Sequence, residues 1–293
     1  MQFNSLSIKD KKIIEDYINK FEPESCEYNF ANLIVWQKMH VFLWAIYQNK
    51  LLLYDSVFKR SLMPIGGDIA YKKLAYLSLN MKKAGLSPDF YLATNDYIKQ
   101  NPKIKEYYTI REERDYSEYI YDVNKLYNLN GKKLHKKRNL ISQFKRIYPD
   151  FKIEALKQEH KEEALELAKN LLKRQKDKFG TLYQEYSALE LSFDYFDVLE
   201  LDGLLIKVKE NIIAFCVLRK LNNQTYNTMF EKSDNTFKGA PQTINHETAK
   251  YLKGKCQYIN REQDLGIKGL RHAKMSYQPV KLITPCTLIF TCG

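Results

Sequence analysis

Charges of both signs crowd one short segment of this chain. Tyr258-Ile259-Asn260 reads as a strand, Arg261-Glu262-Gln263-Asp264-Leu265-Gly266 follows at its end, and Leu270-Arg271-His272-Ala273-Lys274 falls in the helix after it. Ligands of open α/β sheets bind at the carboxyl ends of strands. There Arg261, Arg271 and Lys274 could hold an anion, while Glu262 and Asp264 could hold an ammonium or move a proton. The same residues also fit a surface ion-pair cluster or a helix cap, with Asp264 near the helix start and Arg271 and Lys274 toward its end, as the helix dipole prefers. A second candidate is Phe237-Lys238-Gly239-Ala240-Pro241, between a strand and a helix. Pro241 suits a first helical turn, and the N–H groups of that helix start would face an anion with Lys238 beside them. Ile65-Gly66-Gly67-Asp68 is a weaker loop of the same kind, because Asp68 repels phosphate.

Other chemistries leave no trace. The chain has no Walker A loop, no G-x-G-x-x-G, no G-x-S-x-G, no H-E-x-x-H and no C-x-x-C. Its five His lie far apart, without metal-ligand spacing. Cys26, Cys216, Cys256, Cys286 and Cys292 are scattered and odd in number, which points to a reducing, cytoplasmic setting and not to a disulfide framework. Cys216 lies in the apolar run Ala214–Leu218 and reads as core. No signal peptide is visible. The apolar region Val41–Phe58 is broken by Gln48-Asn49-Lys50 and reads as a hairpin, not a membrane span.

The formal net charge of +12 is uneven. Residues 1–149 carry 25 Lys and Arg against 16 Asp and Glu, whereas residues 150–293 carry 22 against 19. Between 131 and 146 stand seven basic residues and no acid. Leu134, Ile141, Phe144 and Tyr148 fall near one face of a helix there, and Pro149 ends it. That helix reads either as a solvated link between two domains or as a contact for RNA backbone, nucleotide phosphate or an acidic lipid surface. No aromatic-glycine strand of an RRM accompanies it.

The elements that position these residues are strands and helices in mixed order. The first half reads as a strand at Phe3–Leu6, a helix from Ser7 to Asn19, a helix in Glu27–Gln37, a hairpin of Val41–Tyr47 and Leu51–Phe58, a helix over Ile69–Lys83 and strands at Phe90–Ala93, Tyr107–Ile110 and Tyr116–Tyr121. After Pro149 come a strand at Phe151–Leu156, helices at 159–178 and Ser187–Leu199, a hairpin of Leu201–Lys209 and Ile212–Leu221, a strand at Thr225–Phe230, a helix over Pro241–Leu252, a strand at Tyr258–Asn260, a helix over Leu270–Ser276 and one final strand, Val280–Thr291. The doubled order predicts two α/β domains of one design. Residues 1–149 form the first, with the basic linker helix 131–148, and 150–293 form the second, which carries the site.

Several blocks carry a resemblance. They are Asn260–Gly266, Gly269-Leu270-Arg271, Lys274-Met275-Ser276-Tyr277-Gln278-Pro279-Val280, Asn29-Phe30-Ala31-Asn32-Leu33 with Trp36, Pro64-Ile65-Gly66, Lys136-Lys137-Arg138-Asn139-Leu140, and Glu231 with Lys238-Gly239. In them the chain resembles an uncharacterised bacterial family related to the carboxyl-terminal domain of phosphatidylglycerol lysyltransferases. The resemblance implies two tandem acetyltransferase-like (GNAT) domains with mixed sheets, and Fem-type aminoacyltransferases as further relatives. Lys274 through Pro279 resembles the Lys-x-Lys-Phe-x-Pro block of the lipid enzymes, whose Lys is implicated in substrate binding. Where those enzymes continue with Arg-Tyr, this chain has Thr284-Pro285-Cys286-Thr287.

The activity implied is transfer of an aminoacyl group from aminoacyl-tRNA, or an acyl group from acyl-CoA, to an amine or hydroxyl of a small molecule, peptide or lipid headgroup. Either donor would be a co-substrate, with no tightly bound cofactor and no metal. Lys238 and Gly239 would meet donor phosphate. Asn260, Arg261, Arg271, Lys274 and Tyr277 would bind substrate, and Lys136, Lys137 and Arg138 would contact tRNA. Glu231, Glu262 and Asp264 would hold the incoming ammonium, one of them accepting its proton. The competing expectation is a non-catalytic module that binds RNA or an anionic ligand on a degenerate GNAT scaffold.

Overall fold

The structure is a computed structural model that describes residues 2–174 and 181–291. The chain opens with β1 (Asn4–Ser5), α1 (Lys11–Phe21), α2 (Phe30–Val35), β2 (Phe42–Tyr47), β3 (Lys50–Asp55), β4 (Arg60–Leu62), α3 (Tyr71–Lys83), β5 (Phe90–Ala93), α4 (Asn95–Gln100) and β6 (Tyr108–Glu112). It continues with β7 (Glu118–Asp122), α5 (Val123–Asn128), α6 (His135–Ile147), β8 (Lys152–Ala155), α7 (Lys161–Arg174), α8 (Thr181–Asp194), β9 (Asp202–Val208) and β10 (Asn211–Lys220). The last elements are β11 (Thr225–Ser233), α9 (Ala240–Leu252), β12 (Tyr258–Gln263), α10 (Lys268–Met275), β13 (Lys281–Ile283) and β14 (Cys286–Phe290).

Local chemistry accounts for many of these elements. Ahead of α1, Ser7 donates its backbone N–H and its hydroxyl to Asp10 Oδ2 at 2.8 and 2.9 Å, closing a capping box. Ile14 and Ile18, one turn apart, then bury the helix stripe. β10 is apolar from Ile212 to Leu218 and buried throughout that run. Such a run belongs to a strand covered on both faces, and α7 and α9 both pack on β10. The core of the first sheet gathers Leu52, Leu74, Met81, Phe90, Ile104 and Leu288.

There are two seven-stranded sheets, ordered β1-β2-β3-β4-β5-β14-β6 and β13-β7-β12-β11-β10-β9-β8. Taken from β1 in the first and from β8 in the second, each has four antiparallel strands and then a parallel pair, β4 with β5 in one and β11 with β12 in the other. Each is then completed by a strand from the other half of the sequence: β14, from the chain's end, enters the first sheet, and β7, from the first half, enters the second.

By contacts the chain divides into two compact units. One holds the residues up to Glu118, Gln263–Ile267 and the segment from Leu282 onward; the other holds Tyr119–Glu262 and Lys268–Lys281. The division therefore falls at Glu118/Tyr119, where the sequence suggested 149/150. β7 pairs in the second sheet and α6 packs on α9, so the basic helix belongs to the second unit. The predicted strand Val280–Thr291 is two strands in two sheets, β13 and β14. Pro285 between them lacks an N–H for a ladder, and its carbonyl accepts from Glu113 N at 2.9 Å. β4 and α5 carried no clear periodicity, each being short, and α8 begins earlier than the expected Ser187. The end of the helix expected over 159–178 lies outside the described residues, as does Cys292.

Candidate functional site

β11 and β12 run side by side in parallel at Thr225–Tyr258, Tyr226–Ile259 and Asn227–Asn260, where their pairing ends. Just there β11 bulges against β10: Leu218 pairs with Thr228 and Val217 with Phe230, leaving Met229 as an extra residue. A bulge bends its strand and re-aims the side chains that follow. Glu231 follows on β11 and Arg261 on β12, and Arg261 Nη2 donates to Glu231 Oε1 at 2.8 Å. The side chains keep only 13% and 18% exposure.

This pair leaves polar atoms over. Arg261 Nη1 and Glu231 Oε2 are buried without a hydrogen-bond partner, and so is Oδ1 of the fully buried Asn227. A buried donor or acceptor left unmade costs about 1–3 kcal/mol, so these atoms are poised for groups that the chain itself does not supply. Burial works against the Arg261 charge, yet Glu231 first, then Tyr121 and Tyr277, hold its pKa above the usual value. The guanidinium carbon lies 5.6 Å from the ring centroid of Tyr121 and 5.2 Å from that of Tyr277. Both phenols are pushed above their ordinary pKa, chiefly by burial, and stay protonated at neutral pH.

The remaining predicted residues take different places. Asn227 Nδ2 donates to Glu262 Oε1 at 2.8 Å, and the buried Asn260 accepts from Glu262 N at 2.8 Å through Oδ1. That second bond holds Glu262 at φ 54°, in the left-handed region. Lys274 is 9% exposed and donates to the Arg261 carbonyl at 2.6 Å, and Tyr121 donates to the Lys274 carbonyl at 2.8 Å. Lys274 thus ties α10 to β12 and fixes the backbone that carries Arg261. Arg271 lies half-buried on α10. Asp264, fully buried, belongs to the first unit, where it accepts from Gly266 N at 2.9 Å and Arg114 Nη1 at 3.4 Å.

Gly239 is held by packing. A Cβ there would overlap the Leu140 carbonyl oxygen and come within 2.9 Å of Phe144 Cβ, so the start of α9 is closed by α6 while Lys238 stays exposed. Of the basic triplet, Lys136 is exposed and Lys137 is half-buried against Tyr277. Arg138 donates to the Leu129 and Gly131 carbonyls beyond the end of α5. In the first unit, Lys50 donates to the carbonyls of Gly66, Gly67 and Asp68 at 2.9, 2.9 and 3.2 Å, so that loop offers acceptors where a phosphate needs donors.

Sequence reasoning missed Asn227, Tyr119 and Tyr121. Tyr119-Ile120-Tyr121 did carry a signal, since strand alternation puts both tyrosines on one face. Lys274 Nζ lies 5.7 Å from the Tyr119 ring centroid. The first unit holds a further polar cluster, in which Glu118 accepts from Ser25 Oγ and Cys26 N while Gln263 Nε2 donates to Glu27 Oε1 at 2.9 Å. Cys216 lies in the core, its thiol pushed up to about 12 by burial. Among the described residues no group of three or more His, Cys, Asp or Glu could hold a metal ion, and no helix is long and apolar enough to cross a membrane.

Residues 18–285 match the family described as phosphatidylglycerol lysyltransferase, C-terminal. The chain belongs to that family. The phosphatidylglycerol lysyltransferase C-terminal family brings with it the tandem GNAT-like fold. A conserved protein of Bacteroides thetaiotaomicron has a TM-score of 0.90 at 28% identity, covering 99% of this chain and 100% of its own. A C-terminal domain assigned to the lysylphosphatidylglycerol synthetase of Agrobacterium fabrum has a TM-score of 0.69 at 14% identity, over 98% and 93%. A tandem GNAT protein of the clavulanic acid biosynthesis pathway has 0.51 at 7%, over 100% and 99%. An uncharacterised protein of Mycoplasmoides gallisepticum is 25% identical over 176 aligned residues, with 56% of this chain and 53% of that protein covered; the match thus spans about half of the curated relative. The chain is therefore an acyltransferase-like member of this family, with two GNAT-like domains.

Proposed function

We propose that the protein transfers an aminoacyl group from aminoacyl-tRNA to an amine or hydroxyl acceptor, using the cluster around Arg261 and Glu231. The observation that carries this reading is the buried pair with one donor, Arg261 Nη1, and two acceptors, Glu231 Oε2 and Asn227 Oδ1, left open. An aminoacyl ester presents the complementary set, an ammonium that donates and a carbonyl that accepts. Glu231 Oε2 and Asn227 Oδ1 would take the α-ammonium. Arg261 Nη1 would donate to the carbonyl oxygen and more strongly to the oxyanion that forms on attack, where a preorganised donor lowers the barrier most.

The transfer needs little covalent help from the chain. It needs the acceptor held against the carbonyl carbon, and tethering of this kind replaces a costly encounter. Glu231 keeps one oxygen on Arg261 and so serves binding better than proton transfer. The exposed Lys136 is suited to the tRNA backbone. An acyl-CoA donor fits less well, because α6 closes the start of α9 beside Gly239.

The test is incubation of the purified chain with a pool of radiolabelled aminoacyl-tRNAs, and separately with an acyl-CoA pool. Phosphatidylglycerol vesicles, small peptides and polyamines serve as acceptors, and products are read by mass spectrometry. Label should leave the tRNA for one acceptor class, and Arg261→Gln should abolish the transfer. Acylation from the CoA pool alone would overturn the donor, and silence across both pools with tight tRNA binding would make the chain a binding module.

A further inference from the structure

Arg60 opens β4 in the first sheet and is half-buried. Its guanidinium carbon lies 3.6 Å from the ring centroid of the buried Tyr91 and 5.3 Å from that of Phe58. A guanidinium laid on a ring is held by its face, and its five N–H donors remain to be met at the edge. Among the described residues none meets them: Arg60 makes no hydrogen bond and no ion pair, and its Nε is buried without a partner. Such a buried donor costs free energy until something accepts from it. Asp55 faces Arg60 across the β3–β4 ladder. One of its oxygens pairs with His40 Nδ1 at 2.5 Å, and the other accepts from Val57 N and Phe58 N at 3.0 and 3.2 Å. Glu118 accepts from Ser25 and Cys26, and Glu113 is engaged through Oε1 by Arg111 and Thr287. None of these acids pairs with Arg60.

Glu27 is the counterpart. Its Oε1 accepts from Gln263 Nε2 at 2.9 Å, and its Oε2 makes no hydrogen bond. Glu27 and Arg60 are the two charges that bear most on the Tyr91 phenol, yet they form no ion pair with each other. We propose that Arg60 and Glu27 form a second ligand site, within the first unit, for a small zwitterion such as a free amino acid. The ligand carboxylate lies against the donor edge of Arg60, where two parallel N–H bonds fit its geometry, and the ligand ammonium donates to Glu27 Oε2. Tyr91 is a positioning residue that fixes the guanidinium plane. A ligand of one sign suits the site less well. Inorganic phosphate would bring its charge up to Glu27 and Glu118, and a bare amine would meet the Arg60 charge. Burial and the Glu118 charge raise the Glu27 pKa, as for an acid short of neighbouring positive charge, which a bound ammonium supplies. Every residue of the site belongs to the first unit, so the proposal does not rest on the aminoacyl-transfer reading.

The full chain labelled with 15N-arginine tests the idea through the Arg60 Nε–H resonance, assigned by its loss in Arg60→Lys. The probes are the protein α-amino acids, β-alanine and γ-aminobutyrate, which span a range of charge separations. The amide and the N-acetyl form of the tightest binder and inorganic phosphate serve as controls. At least one zwitterion should shift the resonance saturably. Its amide, which lacks the carboxylate, and its N-acetyl form, which lacks the ammonium, should bind roughly 10- to 100-fold more weakly. Calorimetry should show a loss of similar size in Arg60→Lys and in Glu27→Gln. The second variant keeps an oxygen for Gln263, so weaker binding by a folded Glu27→Gln chain marks a ligand contact and not a packing fault. The shift should persist in Arg261→Gln, which separates this site from the one that performs transfer. A resonance that no zwitterion moves overturns the proposal. So does an equal response to phosphate, or undiminished affinity in both variants, which would leave Arg60 a packing residue. Failure of aminoacyl transfer removes the reading of the second unit and leaves this site standing.

Discussion

Glu27 lies in the first unit with its carboxyl pushed above the ordinary carboxylate pKa, by burial first and by the neighbouring Glu118 second. His40 and Arg60 pull the other way and do not win. A carboxyl raised on folding stabilises the fold fully below its unfolded pKa, and that contribution is lost as pH rises through the folded value. Glu27→Gln keeps an oxygen for the Gln263 amide and removes the charge. The variant should therefore be more stable than the parent at neutral pH, with the gain vanishing once pH falls below the ordinary value of 4.5. Urea denaturation midpoints along a pH series would read it. A gain that persists under acid conditions would show that the substitution acts by another route. Arg261 handles burial differently: it keeps its charge because Glu231 lies opposite, and truncating one partner of such a pair is usually far costlier than replacing both.

The meeting of α6 and α9 turns on Gly239. Its φ of 92° already disfavours a side chain, and a Cβ would strike the backbone of Leu140. Gly254 has a similar φ of 83° but open space around it. Gly254→Ala should cost about 1 kcal/mol, and Gly239→Ala about 2–3 kcal/mol more as the helices are forced apart. Thermal or urea unfolding of the two variants compares them directly; equal losses would mean that α6 yields without cost. The same residue marks how far the sequence could be read. A glycine just before the helix and a proline in its first turn announced the start of α9, as they should. Whether that start faced a ligand or another helix depended on α6, about a hundred residues earlier, and local spacing holds no such information. Arg261 and Glu231 were each legible as charged residues near strand ends. Their pairing needed the bulge at Met229 and the end of the ladder at Asn227, which are features of backbone register. Asn227 has no charge to draw notice, and only burial with an unmade bond marks it.

At the scale of the molecule, the doubled order of elements was readable because most of the strands and helices, though not the short β4 and α5, carry their own periodicity. The exchange of β7 and β14 was not, since strand partners are chosen by non-local pairing. β14 lies between β5 and β6, bonded to both. Removing residues 286–293 would open one edge of the inner strand β5 and leave the end strand β6 without a partner. Hydrogen exchange in such a chain should speed up at Phe90–Ala93 and Tyr108–Glu112, while the amides of Leu204–Ile206 and Phe215–Val217 keep their protection. Uniform loss of protection in both sheets would mean that they unfold as a single cooperative body.

That exchange also governs how members of this family can be recombined. A chimaera cut at the midpoint of the sequence would give each sheet one foreign strand, with side chains selected against a different core. Functional hybrids should arise only when residues 119–147 travel with the later half and residues 286–290 with the earlier one, so the natural units of inheritance here are discontinuous stretches of the gene.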